Sequence, residues 1–433
     1  MHEKFMHKES IFKQYDIRGI YKQEFDDTFA FQLGQAVAEH FQTSAIIARD
    51  GRQSSETLQK SFIQGYTSRQ ECFNLGLVST PAAYFAGLKY KLPQIIITAS
   101  HNPSKYNGFK IMQADGTPED GKNGGLQKIK KLLKNQKKST NQKPNLCKKL
   151  DISRDYMAFL NSKIKKISKK IIIDQSGGSG KLETECLGTY DNVKIINNEI
   201  DGKFTVHSPD PLHESSKEFI KNKIQETEGT IGAILDGDAD RVIFFDEKGN
   251  HCRPEHIAAY ITEGDTLYDV RASRSLKDTV NKKDYVAKRI AAGRSNFISQ
   301  MKESGYELGV EASGHYFYKE LKGTDNAALT IIKLLNKLKD HNLIRATNFP
   351  KYRHSGEHSF KVENATKSIK KVQDHFKDNE KDNLDGLTIF GDGFWFNLRK
   401  SNTEPVIRLN LEAKSKSQMN SMYKMVKDLI LIE

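Results

Sequence analysis

The sequence predicts an α/β protein of several domains that ends in a smaller α+β region. Its 433 residues correspond to roughly three or four domains of ordinary size. Short apolar runs lead into polar or glycine-rich turns, as buried strands do in α/β units. In the last quarter of the chain, three strand-like runs instead precede a single helix, at 387–390, 394–398 and 406–411. This succession is typical of an α+β unit.

Four short apolar runs in the first 250 residues are predicted to be buried strands. In chain order they are 95–97, 170–174, 231–235 and 242–245. The second runs into the glycine-rich turn 176–180, which superficially resembles a phosphate-binding loop. It departs from the P-loop pattern, because Gln175 stands where the first glycine belongs and Leu182 replaces the serine or threonine. The turn is therefore not predicted to be a P-loop.

Two helices and two linkers complete the predicted organisation. Apolar residues at helical spacing predict helices over 328–338 and 419–430. Thr324 or Asp325 is the expected N-cap of the first helix. Two polar stretches are predicted linkers, 135–149 and 348–357.

The composition favours a globular protein in a reducing compartment. Hydrophobic residues make up 37% of the chain, which is enough to build cores. No apolar run reaches membrane-spanning length, and the first residues lack a signal-peptide core. The four cysteines are scattered, without a CxxC pair or a complete set of zinc ligands. We expect a cytoplasmic protein without structural zinc.

The chain is basic, with a formal net charge of +13. Much of the excess lies in the lysine-rich region 122–181. Clustered lysines could bind a nucleic-acid backbone, but few aromatic residues are interleaved with them for base stacking. A solvated linker and helix faces are the favoured interpretation, so nucleic acid is an unlikely partner. A positive field would also attract a small anionic substrate.

The first of four polar loops that could carry chemistry is 98–103, TASHNP, at the end of a predicted strand. Its Ser100 has His101 beside it and Lys110 downstream, so it could act as a nucleophile or phosphoryl carrier. The alternative is that Ser100 only caps a helix.

The second loop is 236–241, DGDADR, between two predicted strands. Three carboxylates at alternate positions repel one another unless they share a cation, and oxygen ligands suit Mg²⁺. An EF-hand is excluded, because Arg241 stands where its glycine is required and a strand follows. A solvated acidic turn is the alternative.

The third and fourth loops are suited to a sugar and a phosphate. Loop 309–315, GVEASGH, places a carboxylate, a hydroxyl and an imidazole among small residues, a set that can hydrogen-bond sugar hydroxyls. Loop 399–405, RKSNTEP, and Arg408 offer guanidiniums, hydroxyls and turn N–H groups to an anion. An ordinary polar loop and a surface turn are the respective alternatives.

Taken together, the four loops describe intramolecular phosphoryl transfer on a sugar phosphate. Their order and spacing resemble the α-D-phosphohexomutase superfamily and, within it, the phosphomannomutase/phosphoglucomutase branch. The resemblance extends from about residue 11 to the C terminus. Further matching segments are 12–19 (FKQYDIRG), 48–52 (ARDGR), 79–81 (STP) and 107–110 (NGFK).

The resemblance implies an α/β fold with four domains around a central cleft. Three related α/β units with mixed sheets would precede a C-terminal α+β domain, and each would contribute one loop. The expected domains are 1–147 with the phosphoserine loop, 148–247 with the metal loop, 248–350 with the sugar loop and 351–433 with the phosphate loop.

The resemblance also implies a mechanism. Ser100, phosphorylated in the active state, would exchange its phosphoryl group with a hexose 1- or 6-phosphate, and hexose 1,6-bisphosphate would serve as intermediate and activator. Mg²⁺ would be held by Ser100, Asp236, Asp238 and Asp240. Lys110 and His101 are candidates for proton transfer, and the residues expected to line the catalytic end are Tyr15, Arg18 and Arg241.

The implied substrate-binding residues divide between the sugar and its non-reacting phosphate. Glu311, Ser313 and His315 belong to the sugar loop. The phosphate would be bound by Arg399, Ser401, Asn402, Thr403 and Arg408. Two departures from the family pattern, Arg271 in place of lysine and Arg294 in place of histidine, can still meet a phosphate but alter its geometry.

Two alternative functions remain open at this point. A phosphoglucosamine mutase is one, although Asn402 and Ala312 differ from that branch. An inactive basic binding protein on the same fold is the other, although such a protein would need neither Ser100 nor the aspartates. The expected protein acts on a small sugar phosphate, does not associate with membranes, and is a monomer or homodimer.

Overall fold

The computed structural model describes residues 8–121, 123–136, 145–339, 341–349, 352–400 and 406–431. Within these ranges the strands form four sheets, which we call the sheets of the first to fourth units in chain order. Of the helices in the same ranges, none combines the length and apolar character needed to span a bilayer.

The first unit has a six-stranded mixed sheet in the order β1-β5-β4-β2-β3-β6. The strands are β1 Ile17–Ile20, β2 Ala45–Arg49, β3 Cys72–Leu77, β4 Gln94–Ile97, β5 Tyr106–Met112 and β6 Cys147–Lys149. The helices are α1 Asp27–Phe41, α2 Ser55–Thr67, α3 Thr80–Tyr90 and α4 Gly125–Lys134. β4 is buried along its whole length, as expected for a strand covered by helices on both faces.

The second unit has a five-stranded sheet in the order β11-β10-β9-β7-β8. Its helices are α5 Ser153–Lys163, α6 Lys181–Leu187 and α7 Glu214–Gln225. Its strands are β7 Ile171–Asp174, β8 Val193–Ile196, β9 Ile231–Leu235, β10 Val242–Phe245 and β11 His251–Cys252. β7 is parallel to β8 and β9, whereas β9 and β10 form an antiparallel pair around a tight turn.

The third unit has a four-stranded sheet in the order β13-β12-β14-β15. Its strands are β12 Thr266–Asp269, β13 Ala287–Ile290, β14 Leu308–Val310 and β15 Tyr316–Tyr318. Its helices are α8 Pro254–Ile261, α9 Ser275–Asn281, α10 Arg294–Ser304, α11 Ala327–Leu338 and α12 Leu343–Ala346. Only β14 and β15 pair antiparallel, so this sheet is mixed as well.

The fourth unit is built differently, from an antiparallel sheet in the order β16-β20-β19-β18-β17. Its strands are β16 Arg353–Lys361, β17 Glu380–Asp382, β18 Leu387–Gly391, β19 Phe394–Lys400 and β20 Val406–Ala413. Two helices, α13 Ala365–His375 and α14 Lys416–Leu431, pack on it. The predicted fold class, three mixed α/β units and a C-terminal α+β unit, is confirmed.

The cores show which units are joined. One continuous hydrophobic core contains residues of the first three units, among them Ile46, Ile173 and Tyr268. The fourth unit has a separate core that includes Phe396 and Val426. The first three units therefore share buried apolar surface, whereas the fourth buries its own.

Three sequence expectations need correction. The N-cap of α11 is Asn326, whose side chain accepts a hydrogen bond from the Leu329 N–H, and not Thr324 or Asp325. The predicted linker 135–149 contains strand β6, while its part 137–144 lies outside the described residues. The predicted linker 348–357 includes the start of β16. Both strands are polar and lie at sheet edges, so they lack the apolar signal of buried strands.

Candidate active site

Ser100 lies in the loop that follows β4 and is 1% exposed. Its hydroxyl donates a hydrogen bond to Asp236 Oδ2 at 2.7 Å, and its Oγ lies 3.3 Å from His101 Nδ1. The backbone at Ser100 is left-handed, with φ +50°, a conformation that non-glycine residues rarely adopt. The fold thus brings a serine with a strained backbone in the first unit into hydrogen-bond contact with the aspartate loop of the second.

A buried arginine holds this loop in place. Arg52 donates through its guanidinium to the carbonyl oxygens of Ser100 at 2.7 Å and Asn102 at 2.6 Å. It also donates to the Pro103 carbonyl at 2.8 Å, and Asp50 accepts from its Nε at 3.1 Å. Because the Arg52 guanidinium donates hydrogen bonds to several carbonyl oxygens of the loop, it stabilises the strained turn at Ser100. Residues 48–52 were recognised as a motif, but sequence reasoning did not assign this role to Arg52.

The three aspartates of the loop between β9 and β10 converge. Asp236, Asp238 and Asp240 are buried, and each offers a carboxylate oxygen within 4.8 Å of the others. Thr80 at the start of α3 donates to Asp238 Oδ2 at 2.7 Å. Burial, together with Asp240 and Asp238, raises the pKa of Asp236 well above its ordinary value. Part of this pKa shift therefore comes from the electrostatic repulsion among these carboxylates.

Two cations, the buried Lys110 and the partly buried Arg294, offset part of that repulsion. The ammonium of Lys110 donates to Asp238 Oδ2 and Asp240 Oδ2, both at 2.6 Å. Arg294 donates to Asp240 Oδ2 at 2.6 Å. Burial alone would lower the pKa of Lys110, but Asp238 and Asp240 raise it above its ordinary value. Lys110 is therefore a fixed cation at neutral pH.

The aspartate loop has donor atoms left for a metal ion. Asp238 Oδ1 and Asp240 Oδ1 are buried, yet neither accepts a hydrogen bond from any described residue. Buried carboxylate oxygens without a partner are costly unless something else satisfies them. An oxygen-only set of this kind fits a hard divalent cation.

His101 lies between the serine and two arginines. Burial lowers its pKa well below the ordinary value of 6.5, and the positive charges of Arg241 and Arg18 lower it further. Arg18 also donates to Asn102 Oδ1 at 2.7 Å in the same loop. The imidazole is consequently neutral at pH 7.

Loop 309–315 of the third unit, predicted to bind the sugar, centres on Glu311. Its carboxylate accepts from the Gly293 N–H at 2.5 Å and from the Ser313 hydroxyl at 3.0 Å. Burial alone would raise the pKa of Glu311, but His315, Arg271 and these hydrogen bonds hold it below the ordinary value. Arg271 is held in turn by Asp269, at 2.5 Å. Glu311 is therefore an ionised hydrogen-bond acceptor.

His315 belongs to the same loop but reaches the aspartate loop. Arg241 Nε donates to His315 Nε2 at 3.0 Å, while His315 Nδ1 lies 2.8 Å from Asp325 Oδ2. Asp325 also accepts from Arg294 at 2.9 Å. Asp325 thus orients two predicted site residues, although sequence reasoning considered it only as a helix cap.

The fourth unit contributes two arginines at one carboxylate. Arg408 donates to Glu357 Oε1 at 3.2 Å, and Arg399 lies 3.6 Å from Glu357 Oε2. Arg399 also lies 3.5 Å from Asp385. The predicted phosphate-binding residues Ser401, Asn402 and Thr403 lie outside the described residues.

Tyr15 connects the first unit to the other end of the site. Its hydroxyl donates to the Ala292 carbonyl at 3.1 Å. Burial raises the pKa of Tyr15 to about 12, with added contributions from Glu311 and Asp385, whereas Arg399 lowers it. Tyr15 therefore lies within electrostatic range of both the third and the fourth units.

The structure brings most of the predicted residues into two linked groups. The group around Ser100 comprises Arg18, His101, Lys110, Asp236, Asp238, Asp240, Arg241, Arg294 and His315. The second contains Tyr15, Arg271, Glu311 and Ser313, with Arg399 nearby. One group combines a hydroxyl, a neutral base and a cation site, and the other presents groups that bind polar or anionic ligands.

Comparison with known proteins agrees with this arrangement along almost the whole chain. Models of the phosphoglucomutase/phosphomannomutase family match in sequence order. The α/β/α domains I, II and III match residues 9–140, 154–249 and 255–348, and the C-terminal domain matches 357–429.

Individual relatives extend over the same length. The chain is 33% identical to a phosphomannomutase of Methanocaldococcus jannaschii, over 97% of each chain. It is 29% identical to a phosphoglucomutase of Neisseria meningitidis, over 97% of this chain and 96% of that protein. A phosphoglucomutase/phosphomannomutase family structure from Burkholderia thailandensis superposes with a TM-score of 0.87 over 98% of each chain, at 26% identity.

Proposed function

The chain belongs to the phosphoglucomutase/phosphomannomutase family and is a hexose phosphate mutase, and we propose that it interconverts the 1- and 6-phosphates of mannose and glucose through a phosphorylated Ser100. The observation that carries the proposal is the contact of Ser100 Oγ with Asp236 Oδ2 at 2.7 Å. This contact joins a hydroxyl oxygen of the first unit to the aspartate loop of the second, with a neutral imidazole beside it.

Ser100 would act as the covalent carrier. In the first half-reaction a sugar hydroxyl attacks the phosphorus and passes its proton to a base. The bond between phosphorus and Ser100 Oγ breaks, and the released serine oxygen takes up a proton to become a hydroxyl again. Hexose 1,6-bisphosphate results. The bisphosphate then returns its other phosphoryl group to Ser100 in the reverse sense, so free hexose 1,6-bisphosphate would also serve as an activator.

The proton acceptor that we propose is His101. Its imidazole is neutral and lies 3.3 Å from Ser100 Oγ, close to where a substrate hydroxyl must approach. Lys110 keeps its proton, because Asp238 and Asp240 raise its pKa. We therefore assign Lys110 the role of a fixed cation that faces the negative charge of the transferring group.

A divalent cation, which we propose to be Mg²⁺, would be held by Asp236, Asp238, Asp240 and the Ser100 oxygen. When bound, it would neutralise negative charge on the transferring phosphoryl group. The unpartnered oxygens of Asp238 and Asp240 support this assignment.

The sugar and its non-reacting phosphate would lie toward the third and fourth units. Glu311 and Ser313 would accept and donate hydrogen bonds with ring hydroxyls. Arg399 and Arg408, with Ser401, Asn402 and Thr403, would bind the phosphate. Arg271 adds a positive charge beside Glu311.

The expected substrate range follows from the need to bind a bisphosphate in two orientations. Such a pocket reads hydroxyls common to both poses, mainly those at C3 and C4, while mannose and glucose differ only at C2. Galactose inverts C4 and would leave the Glu311 carboxylate poorly paired, at a cost of about 1–3 kcal/mol. We therefore propose that mannose and glucose phosphates are turned over at comparable rates.

The test is a set of coupled assays with catalytic hexose 1,6-bisphosphate. We expect mannose- and glucose-1-phosphate to be good substrates and galactose-1-phosphate to be at least about tenfold poorer. Glu311→Ala should reduce turnover of both good substrates together, whereas Glu303→Ala, on the exposed face of α10, should not. Loss of one epimer alone would show that Glu311 reads C2. A preference for glucosamine-1-phosphate would favour a phosphoglucosamine mutase instead.

A further inference from the structure

Two of the four cysteines meet at the edge of the first sheet. Cys72 is the first residue of β3 and Cys147 is the first residue of β6, and the parallel pairing of these strands places the two directly opposite each other. Besides the core that it shares with the next two units, the first unit has a core of its own, which contains Cys72, and Cys147 packs against it. Both side chains therefore leave the same face of the sheet.

The spacing of paired strands suits a disulfide. Neighbouring strands lie about 4.8 Å apart, and disulfide-linked residues have Cα atoms roughly 4.4–6.8 Å apart. The two thiols lie close enough to influence each other's ionisation: Cys72 lowers the pKa of Cys147, whereas Cys147 and burial raise the pKa of Cys72. Cys147 is also the more accessible of the two, since it is half-buried whereas Cys72 is 1% exposed.

The other two cysteines have different surroundings. Cys186 donates from its thiol to Asn161 Oδ1 at 3.3 Å, and Cys252 lies 3.9 Å from the Asn250 carbonyl. Burial raises the pKa of both thiols. They provide matched internal controls, because they are buried cysteines of the same chain that lie outside this pair.

We propose that Cys72 and Cys147 are an oxidisable pair that forms a reversible intramolecular disulfide, with hydrogen peroxide or another hydroperoxide as oxidant. The Cys147 thiolate attacks a peroxide oxygen, which gives a sulfenic acid and releases water once the displaced hydroxide takes up the thiol proton. The Cys72 sulfur then attacks the sulfenic sulfur, and the Cys72 proton leaves with the hydroxyl group as a second water. Two thiols are oxidised and one peroxide is reduced.

The cross-link would act on a particular part of the fold. β6 has only three residues and is the edge strand from which the chain continues into α5 of the second unit. A disulfide would fix this strand to β3 and close the intervening loop, which contains Ser100. Cross-links that close long loops restrict the unfolded chain, so the oxidised protein should unfold at a higher urea concentration.

The experiment treats the full-length protein with hydrogen peroxide and maps peptides without reduction. We expect one peptide that joins Cys72 to Cys147, a mass loss of about 2 Da for the two hydrogens removed, and full reversal by dithiothreitol. Cys147→Ala and Cys72→Ala should lack the cross-link, and Cys252→Ala should retain it. The urea midpoint of the wild type and of Cys252→Ala should rise on oxidation and fall back on reduction.

Three outcomes would overturn the proposal. One is accumulation of sulfinic or sulfonic acid at Cys147 without a cross-link. Another is a wild type whose thiols stay unchanged under conditions that oxidise glutathione completely. The third is a disulfide between chains or to another cysteine. Each is read on the wild type itself, so poor folding of a variant cannot obscure the result.

Discussion

Two buried carboxylate sites flank the N terminus of α3, and they differ in what surrounds the charge. Thr80 donates to Asp238 in the aspartate loop, and its neighbour Ser79 donates to Glu183 at 2.5 Å. Asp238 also contacts the ammonium of Lys110, whereas Glu183 accepts a further hydrogen bond from the Tyr156 hydroxyl, at 3.0 Å. Asp238 therefore contacts a cation as well as a hydroxyl, whereas Glu183 contacts two hydroxyls.

The consequence is an opposite protonation preference at equal burial. Burial and Asp240 would raise the pKa of Asp238, but Lys110 holds it below the ordinary value. Burial raises the pKa of Glu183 to about 7, because the hydrogen bonds from Ser79 and Tyr156 only partly oppose it. A buried carboxylate is therefore not by itself a sign of chemistry. The charges around it decide whether it is an ionised ligand or a proton-holding structural group.

The strongest test of this contrast is Ser100→Ala, which removes the proposed phosphoryl carrier beside the cationic site. A methyl group cannot hold a phosphoryl group, so turnover should fall at least about 10⁴-fold while the protein stays folded. Coupled assays and circular dichroism measure the two properties. Intact mass should find some wild-type protein one phosphate heavier, and this species should be missing from Ser100→Ala. Near-wild-type turnover of the variant would refute a phosphoserine mechanism.

The second test neutralises one carboxylate of the metal loop. Asp238→Asn leaves a cation in that loop less well balanced, so we expect about a thousandfold loss of turnover and a higher Mg²⁺ requirement. Activity against Mg²⁺ concentration measures both. Asp191→Asn, at an exposed turn of the same unit, should change neither. If protein stripped with EDTA kept full activity, the aspartate loop would have to be a structural turn.

The third test concerns Glu183 and the dependence of stability on pH. Its folded pKa of about 7 exceeds the ordinary 4.5, so the folded state retains a proton that the unfolded state releases between these values. Stability should therefore fall as pH rises from 4.5 to 7 and level off above it, by about 3 kcal/mol for this group. Glu183→Gln should remove that contribution, which urea unfolding of both proteins at pH 5 and pH 8 measures.

The same variant also tests whether Glu183 takes part in the reaction or only stabilises the fold. Turnover of Glu183→Gln at pH 7 should stay within about threefold of the wild type, because a neutral amide resembles the protonated carboxyl. Equal slopes of stability against pH in the two proteins would mean that Glu183 is ionised and that hydroxyls suffice to hold a buried charge here.

The smallest expected effect is that of Thr80→Val, which removes the hydroxyl that orients Asp238. Groups that orient metal ligands typically change metal affinity by about 10- to 100-fold, and we expect the lower end. Half-maximal activation should need about tenfold more Mg²⁺, with little change at saturation. Thr230→Val is the matched control, since the buried Thr230 hydroxyl has no hydrogen-bond partner among the described residues.

The contrast also explains what could be predicted from the sequence. Ser100 and the aspartates were identifiable because each set lies within one short loop of unusual composition. The alternation of buried strands and helices likewise gave the fold class, since parallel strands covered on both faces are continuous apolar runs. These features depend on residues close together in the chain.

Partners that are distant in sequence could not be predicted in this way. Arg52 reaches the Ser100 carbonyl across 48 residues, Ser79 reaches Glu183 across 104, and His315 meets Asp325 only through the folded third unit. The ionised state of Lys110 and the raised pKa of Glu183 likewise depend on burial and neighbouring charge. Edge strands β6 and β16 escaped prediction because their exposed positions are polar.

The left-handed backbone at Ser100 has a consequence for how this position can change over generations. Glycine adopts φ +50° without the steric cost that a side chain meets, so glycine is the residue that stability alone would favour there. Under the proposed phosphoserine mechanism, the need for a hydroxyl would keep serine at this position. Selection for stability and selection for turnover would therefore favour different residues at this position. A lineage that no longer needs turnover should drift toward a more stable but inactive protein.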